Sequence, residues 1–286
     1  MNKSATAGTP CDTTPWWLVA ARRCKRVWPL IVLAAAPVLI PLPAAAVPLE
    51  LNAAEWAARF AAEVDHRIEV PAEDQLRYAA LLDQALAAGH VEAPAQIVLL
   101  VDRSAQVQAA FVMLHTEAGS WLMLGATRVS TGKVGSFDHF LTPLGVFPHT
   151  LDNPDFRAEG TLNENHIRGY GRRGMRVFDF GWQQAQRGWG SGAVSQMRLQ
   201  MHATDPNVLE ARLGTVASEG CIRIPATLNT FIDMHGLLDA QYEEAIAAGR
   251  NLWVLRPARQ AITTPGRFMV IVDSLTPERP AWSPAP

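Results

Sequence analysis

Residues 202–223 read HATDPNVLEARLGTVASEGCIR, and the rest of the chain is best read outward from them. Cys221 follows Ser218-Glu219-Gly220 and precedes Ile222-Arg223. A cysteine nucleophile needs a base, donors for a developing oxyanion and an anchor for its substrate. His202 is the base candidate, 19 residues upstream at the end of a strand pattern over Arg198–His202. Gly220 lets main chain approach a carbonyl, and the N–H groups of Gly220 and Cys221 are the oxyanion candidates. Arg223 carries the planar fork that grips a carboxylate. Ser218 and Glu219 complete the candidate substrate-contacting set. Each residue also has a plainer reading: a buried thiol, a satisfied structural histidine, an ion-paired arginine, a serine that shapes a turn, a solvated carboxylate.

Around this stretch the pattern is that of short strands punctuated by Gly and Pro. Ile97–Val101, Gln108–His115, Trp121–Ser130, Met175–Phe180 and Leu252–Leu255 read as strands, and Pro143–Phe147 as a turn into another. Residues 151–174 show little periodicity and read as a long loop holding His166, expected to be solvated. Ala226–His235 and Ala240–Ala248 read as helices. Two further helices are expected near the start: residues 52–66, with Asn52 as cap and Trp56, Phe60 and Val64 on one face, and residues 72–88, stopped by Gly89. Phe268–Val272 is a late apolar run before a Pro-rich tail from Pro277, expected to be poorly ordered. Trp182 and Trp189 sit in Gly-rich surroundings, where groove lining and core packing are both open. The fold class expected is mainly β, a sandwich or barrel with a few helices.

The His202 to Cys221 stretch resembles the signature of the L,D-transpeptidase catalytic-domain (YkuD-like) family: a histidine, a spacer, then Ser/Thr-His-Gly-Cys. Here 15 residues separate His202 from Ser218, and Gly220-Cys221-Ile222-Arg223 match. A second match lies upstream, where Val129–Lys133 and Thr142–Phe147 (VSTGK and TPLGVF) look like the family's "STGK…TPLGxF" segment. The resemblance spans roughly residues 96–256. It implies the family's β fold and acyl transfer on peptidoglycan tetrapeptide stems, through a thioester on Cys221 with His202 as proton shuttle. An amine acceptor then gives a 3→3 crosslink or attaches a protein such as an outer-membrane lipoprotein; water as acceptor gives an L,D-carboxypeptidase. Hydrolysis of a peptidoglycan amide and a non-catalytic wall-binding module are the alternatives. The family orients its histidine with the carbonyl of the next residue, here Ala203. Glu219 departs from the pattern, standing where many members have His. Its charge disfavours a neighbouring thiolate and, if near enough, favours protonated His202.

The N-terminal residues point to export. Arg22, Arg23, Lys25 and Arg26 precede an apolar run, Val27–Ile40, that ends in Pro41-Leu42-Pro43-Ala44-Ala45-Ala46. That is the layout of a signal peptide over residues 1–46, with an uncleaved inner-membrane anchor as the alternative. The expected location is therefore the periplasm or the cell wall. Residues 1–46 carry five Lys/Arg and one Asp, whereas the remainder carries 20 against 26 Asp/Glu. This acidic body has no basic stripe, which argues against nucleic-acid binding. Of three cysteines, Cys11 and Cys24 fall in the export segment, leaving Cys221 alone in the mature chain. The histidines show no ligand spacing, so no metal or cofactor is expected. With 49% hydrophobic residues in 286, the chain can bury a sizeable core. The organisation expected is residues 1–46 as signal, 47–95 as a helical segment, 96–256 as the catalytic domain and 257–286 as a C-terminal extension.

Overall fold

The computed structural model describes residues 53–286, which all belong to one compact unit. The expected export segment, Cys11, Cys24 and Asn52 lie outside the described residues. Two sheets face each other. The first has five strands in the order β3-β2-β1-β9-β4: Trp121–Arg128, Ala109–His115, Gln96–Asp102, Phe268–Val272 and Gly145–Pro148. The second has four, β5-β6-β7-β8: Phe156–Arg157, Arg176–Gln186, Val194–Ala203 and Ile222–Ile224. Mainly β with a few helices is thus the observed class. Among the described residues no helix is long and apolar enough to cross a membrane.

Alternation along each strand decides where the core lies. Ile97, Leu99 and Val101 of β1 face Phe178, Phe180, Leu199 and Met201 of the second sheet, and α1 (Ala53–Glu63) closes one side with Trp56 and Phe60. Val98 and Leu100 point the other way, onto Tyr78, Leu82 and Leu86 of α2 (Ala72–Ala88). Covered on both faces, β1 is buried at all seven positions, which is why it reads as an unbroken apolar run. Helices α3 (Ala226–His235) and α4 (Ala240–Ala247) match the segments expected.

Three expectations change. Leu252–Leu255 is a turn, closed by the Leu255 N–H on the Leu252 carbonyl at 3.0 Å, with Val254 buried and Trp253 73% exposed; four apolar residues in a row mimicked a strand that has no partner strand. Residues 151–174 are not wholly loop, because Phe156–Arg157 forms β5 on the edge of β6. The Pro-rich tail is folded onto the body. Trp282 lies edge-on to Tyr78, its indole N–H 2.7 Å from Asp74, and the buried Ser283 hydroxyl donates to the Val107 carbonyl at 2.7 Å.

The segment beyond residue 256, set apart in the sequence reading, also supplies β9, which runs parallel to β1 and antiparallel to β4 inside the first sheet. A chain ended after residue 256 therefore loses a central strand and leaves two sheet edges open. Its urea unfolding, followed by circular dichroism, is expected to lose cooperativity. A sharp transition with an unchanged slope would show that β9 is dispensable.

A buried charge cluster pins the second sheet to the helices. Arg176, with no exposed surface, donates through Nε to Asp155 (2.6 Å) and through both terminal nitrogens to Asp239 (2.8 and 2.7 Å). Buried His149 faces Asp155 with Nε2 (3.0 Å) and the Leu238 carbonyl with Nδ1 (2.8 Å). Two acceptors require two ring N–H donors, so His149 is held as imidazolium. Burial alone would depress its pKa, but the Asp155 carboxylate outweighs this and the pKa is raised.

Candidate active site

His202 is the penultimate residue of β7 and Cys221 immediately precedes β8, and the two strands run parallel with His202 opposite Arg223. This pairing brings the two ends of the 202–223 stretch together. The intervening residues fold as a loop that includes a short 3-10 turn, Glu210–Arg212. His202 is buried, and its Nδ1 lies 2.9 Å from the Ala203 carbonyl. An acceptor there makes Nδ1 the protonated nitrogen and leaves Nε2 with its lone pair. Burial lowers the His202 pKa to about 4, against the pull of that carbonyl, and the Arg223 charge lowers it further.

Half-buried Cys221 is the free cysteine among the described residues. Its thiol donates to the Arg198 carbonyl at 3.7 Å. Burial raises the thiol pKa above its ordinary value; the Gln200 main-chain amide and Arg223 counter this, whereas Glu219 and Asp179 add to it. At neutral pH the pair therefore rests as thiol and neutral imidazole. This arrangement suits a base that takes the proton as the bond forms.

The VSTGK and TPLGVF segments frame this turn. The amides of Ala217 and Ser218 donate to the Thr131 carbonyl, and the Lys133 amide donates to the Ser218 carbonyl. Thr142 accepts from the Gly132 N–H at 2.8 Å and donates to the Gly220 carbonyl at 2.7 Å. A Cβ on Gly132 would stand 1.9 Å from the Phe140 carbonyl, so only glycine permits this approach. Gly220 has φ +132, a backbone conformation that favours glycine, and a Cβ there would meet the tip of the Met197 side chain.

The remaining sequence candidates separate into different tasks. Ser218 is buried; its hydroxyl donates to the Cys221 carbonyl at 2.5 Å and accepts from the Gly220 N–H at 3.1 Å. It therefore builds the turn, and it engages the Gly220 amide that the sequence reading offered to an oxyanion. Arg223 donates to the Ala217 carbonyl at 3.1 Å and, among the described residues, forms no ion pair. Glu219 is exposed, and its carbonyl accepts the Phe140 N–H. Its carboxylate acts on Cys221, Arg223 and Tyr170, whereas His202 is shifted by burial, the Ala203 carbonyl and Arg223. His166 is exposed, as expected. No group of three or more metal-ligating side chains is found among the described residues.

Sequence reasoning missed two supporting groups. Tyr170, from the aperiodic loop, lies edge-on to His202 with ring centroids 4.7 Å apart, and its hydroxyl donates to Gln200 at 3.2 Å. It also lines a cavity of about 430 Å³ that extends along the loop past Phe156. Gln108, buried in the left-handed region at φ +50, accepts the Thr131 N–H at 2.7 Å and so holds the VSTGK segment. Neither residue has a local motif to find it by.

Glu219→Gln removes the carboxylate that raises the Cys221 pKa, so the midpoint of thiol alkylation against pH is expected to move down. A shift of one unit, roughly 1.4 kcal/mol, is the ceiling for a solvated neighbour. Iodoacetamide rates over a pH series test it; superimposable profiles would mean that Glu219 does not reach the thiol.

No protein-family model matches the chain, and no curated protein matches it. One solved structure found in comparison is a fused Zn-dependent amidase/peptidase/peptidoglycan-binding domain-containing protein from Clostridium acetobutylicum ATCC 824. It is 13% identical at a TM-score of 0.28, over 72% of this chain and 64% of that one. This chain thus spans less than two thirds of that protein, and a TM-score so low carries no fold assignment.

Proposed function

We propose that this chain is a cysteine-dependent L,D-transpeptidase acting on peptidoglycan stem peptides. The observation that carries the reading is the Cys221–His202 arrangement itself: a half-buried thiol next to the strand that presents a neutral histidine, with its Nδ1 committed to the Ala203 carbonyl. The VSTGK and TPLGVF segments, which resemble the same family in sequence, hydrogen-bond to the turn that carries Cys221.

In this reading His202 Nε2 takes the thiol proton as Sγ attacks the carbonyl carbon of the third stem residue. The C–N bond to the terminal D-alanine breaks, and the proton passes from His202 to the departing amine. A thioester remains on Cys221. An amine acceptor then attacks it, loses its proton to Nε2, and Sγ leaves. With the Gly220 N–H engaged by Ser218, the Cys221 N–H is the oxyanion donor the turn leaves. Arg223, which forms no ion pair among the described residues, supplies the anchor for a substrate carboxylate. Attachment of a lipoprotein uses the same steps with a lysine amine as acceptor, and export to the periplasm or cell wall is the corresponding location.

Incubation of the purified protein with disaccharide-tetrapeptides, read by mass spectrometry, tests the proposal. A crosslinked dimer with loss of D-alanine supports it. A disaccharide-tripeptide alone would make the enzyme a carboxypeptidase, and unchanged substrate would overturn catalysis on this class.

A further inference from the structure

The outer face of the β6–β7 hairpin carries side chains that neither the core nor the acyl transfer uses. Trp182 is 62% exposed, an unusual state for an indole. Gly181, at φ +78 and against the Asn153 side chain, lies in the register shift between Asp179 and Trp182 where the strand is bulged. Trp182 pairs across the strands with Arg198, whose guanidinium lies 5.7 Å from the ring centroid. The Arg198 charge is answered by Asp179 at 2.9 Å.

Along the same face the next pairs are Gln184–Gln196 and Gln186–Val194, all exposed. The inward members, Ala185 and Met197, are in the core, as alternation requires. The surface is therefore one indole, three primary amides, one valine and one neutralised guanidinium, with no carboxylate among the six. From Trp182 to Gln186 it extends roughly 13 Å at the usual rise of a strand.

This composition selects its ligand. A face without free charge has nothing to offer a phosphate backbone or an anionic membrane surface. A protein partner wants a contiguous apolar centre, whereas here the indole and the valine are separated by glutamines. An exposed indole suits the C–H face of a pyranose ring, and primary amides donate and accept in the way that hydroxyl and N-acetyl groups require. The ladder also begins at the nucleophile, since Arg198 is the residue whose carbonyl accepts the Cys221 thiol.

We propose that the face formed by Trp182, Gln184, Gln186, Val194, Gln196 and Arg198 is a binding subsite for an uncharged N-acetylhexosamine glycan, which holds the sugar portion of the substrate beside Cys221. Its place in catalysis rests on the peptidoglycan reading; the binding itself does not.

The test is titration of the protein with N-acetylglucosamine tetraose by calorimetry, repeated for Trp182→Ala and for Gln184→Ala/Gln196→Ala. Binding by the parent and a loss of about tenfold or more in each variant is expected, in line with the weight of a stacked aromatic platform. Two changes of exposed side chains guard against a folding failure in one, and thermal unfolding verifies each. The ratio of kcat/KM for disaccharide-tetrapeptide over free tetrapeptide is expected to fall about tenfold in Trp182→Ala. No binding by the parent at millimolar tetraose, or equal affinity in the variants, overturns the subsite. Glycan binding that depends on Trp182, in a protein inactive on both substrates, upholds the subsite while the acyl-transfer reading fails.

Discussion

Cys221→Ala is expected to abolish the covalent adduct with a carbapenem and to lower acyl transfer by about 10⁴-fold or more, the scale on which removing a nucleophile acts. The carbapenem probes the proposed thioester chemistry directly, because its ring carbonyl takes the place of the stem-peptide carbonyl. Intact mass reads the result, and an adduct that persists in Cys221→Ala would mean that another group is the nucleophile. His202→Ala is expected to slow adduct formation by about 10²–10⁴-fold, the usual weight of a general base. The pH profile separates base from scaffold. The His202 pKa is lowered to about 4, so the base form is present above that pH and lost below it. The acid limb of kcat/KM is therefore expected near pH 4 instead of near 6.5. On the alkaline side the raised thiol pKa predicts no loss of the resting thiol at pH 7 to 8. An acid limb at 6.5 would place His202 in water, contrary to its burial.

The second large effect concerns stability. Arg176→Ala removes a fully buried guanidinium from between Asp155 and Asp239, which then remain in the interior with only His149 and its neighbours to answer them. Removing one partner of a buried ion pair costs about 3–5 kcal/mol, because the remaining charge keeps its desolvation penalty. A comparable fall in urea stability with unchanged slope is expected. A loss below about 1 kcal/mol would show that water or rearrangement satisfies those carboxylates. The cluster lies between β6 and the helices, so this effect is on the fold and leaves the Cys221 turn chemically intact.

Much of this architecture was legible because local pattern and burial agree. β1 is apolar from Ile97 to Val101 since both of its faces are covered, and α3 ends where Gly236 adopts the left-handed conformation. His202 and Cys221 stood out because a parallel strand pair brings the ends of one contiguous stretch together. Leu252–Leu255 misled for the converse reason, since an apolar run with no strand beside it closes on itself as a turn. Tyr170 and Gln108 were invisible. Each reaches the site across a distance that no spacing rule encodes: Tyr170 through Gln200, 30 positions away, and Gln108 through Thr131, 23 positions away. For Ser218 the sequence left two roles open, and its hydrogen bonds are those of the turn. Whether a hydroxyl faces a ligand or its own turn depends on where the main chain bends, and the bend is set by Thr131 and Thr142 from other segments.

The position of β9 governs the order in which the molecule can be assembled. Its neighbours β1 and β4 are synthesised early, and the Gln96 side chain waits for an amide 171 positions further along the chain. A polypeptide emerging N-terminus first holds both of those edges unpaired until residue 272 has been made. Closure is then a late, long-range event, slow by the entropy of the loop it must shut. For that whole interval the two waiting strand edges are where a holding factor or an aggregating neighbour would compete with the chain's own last strand.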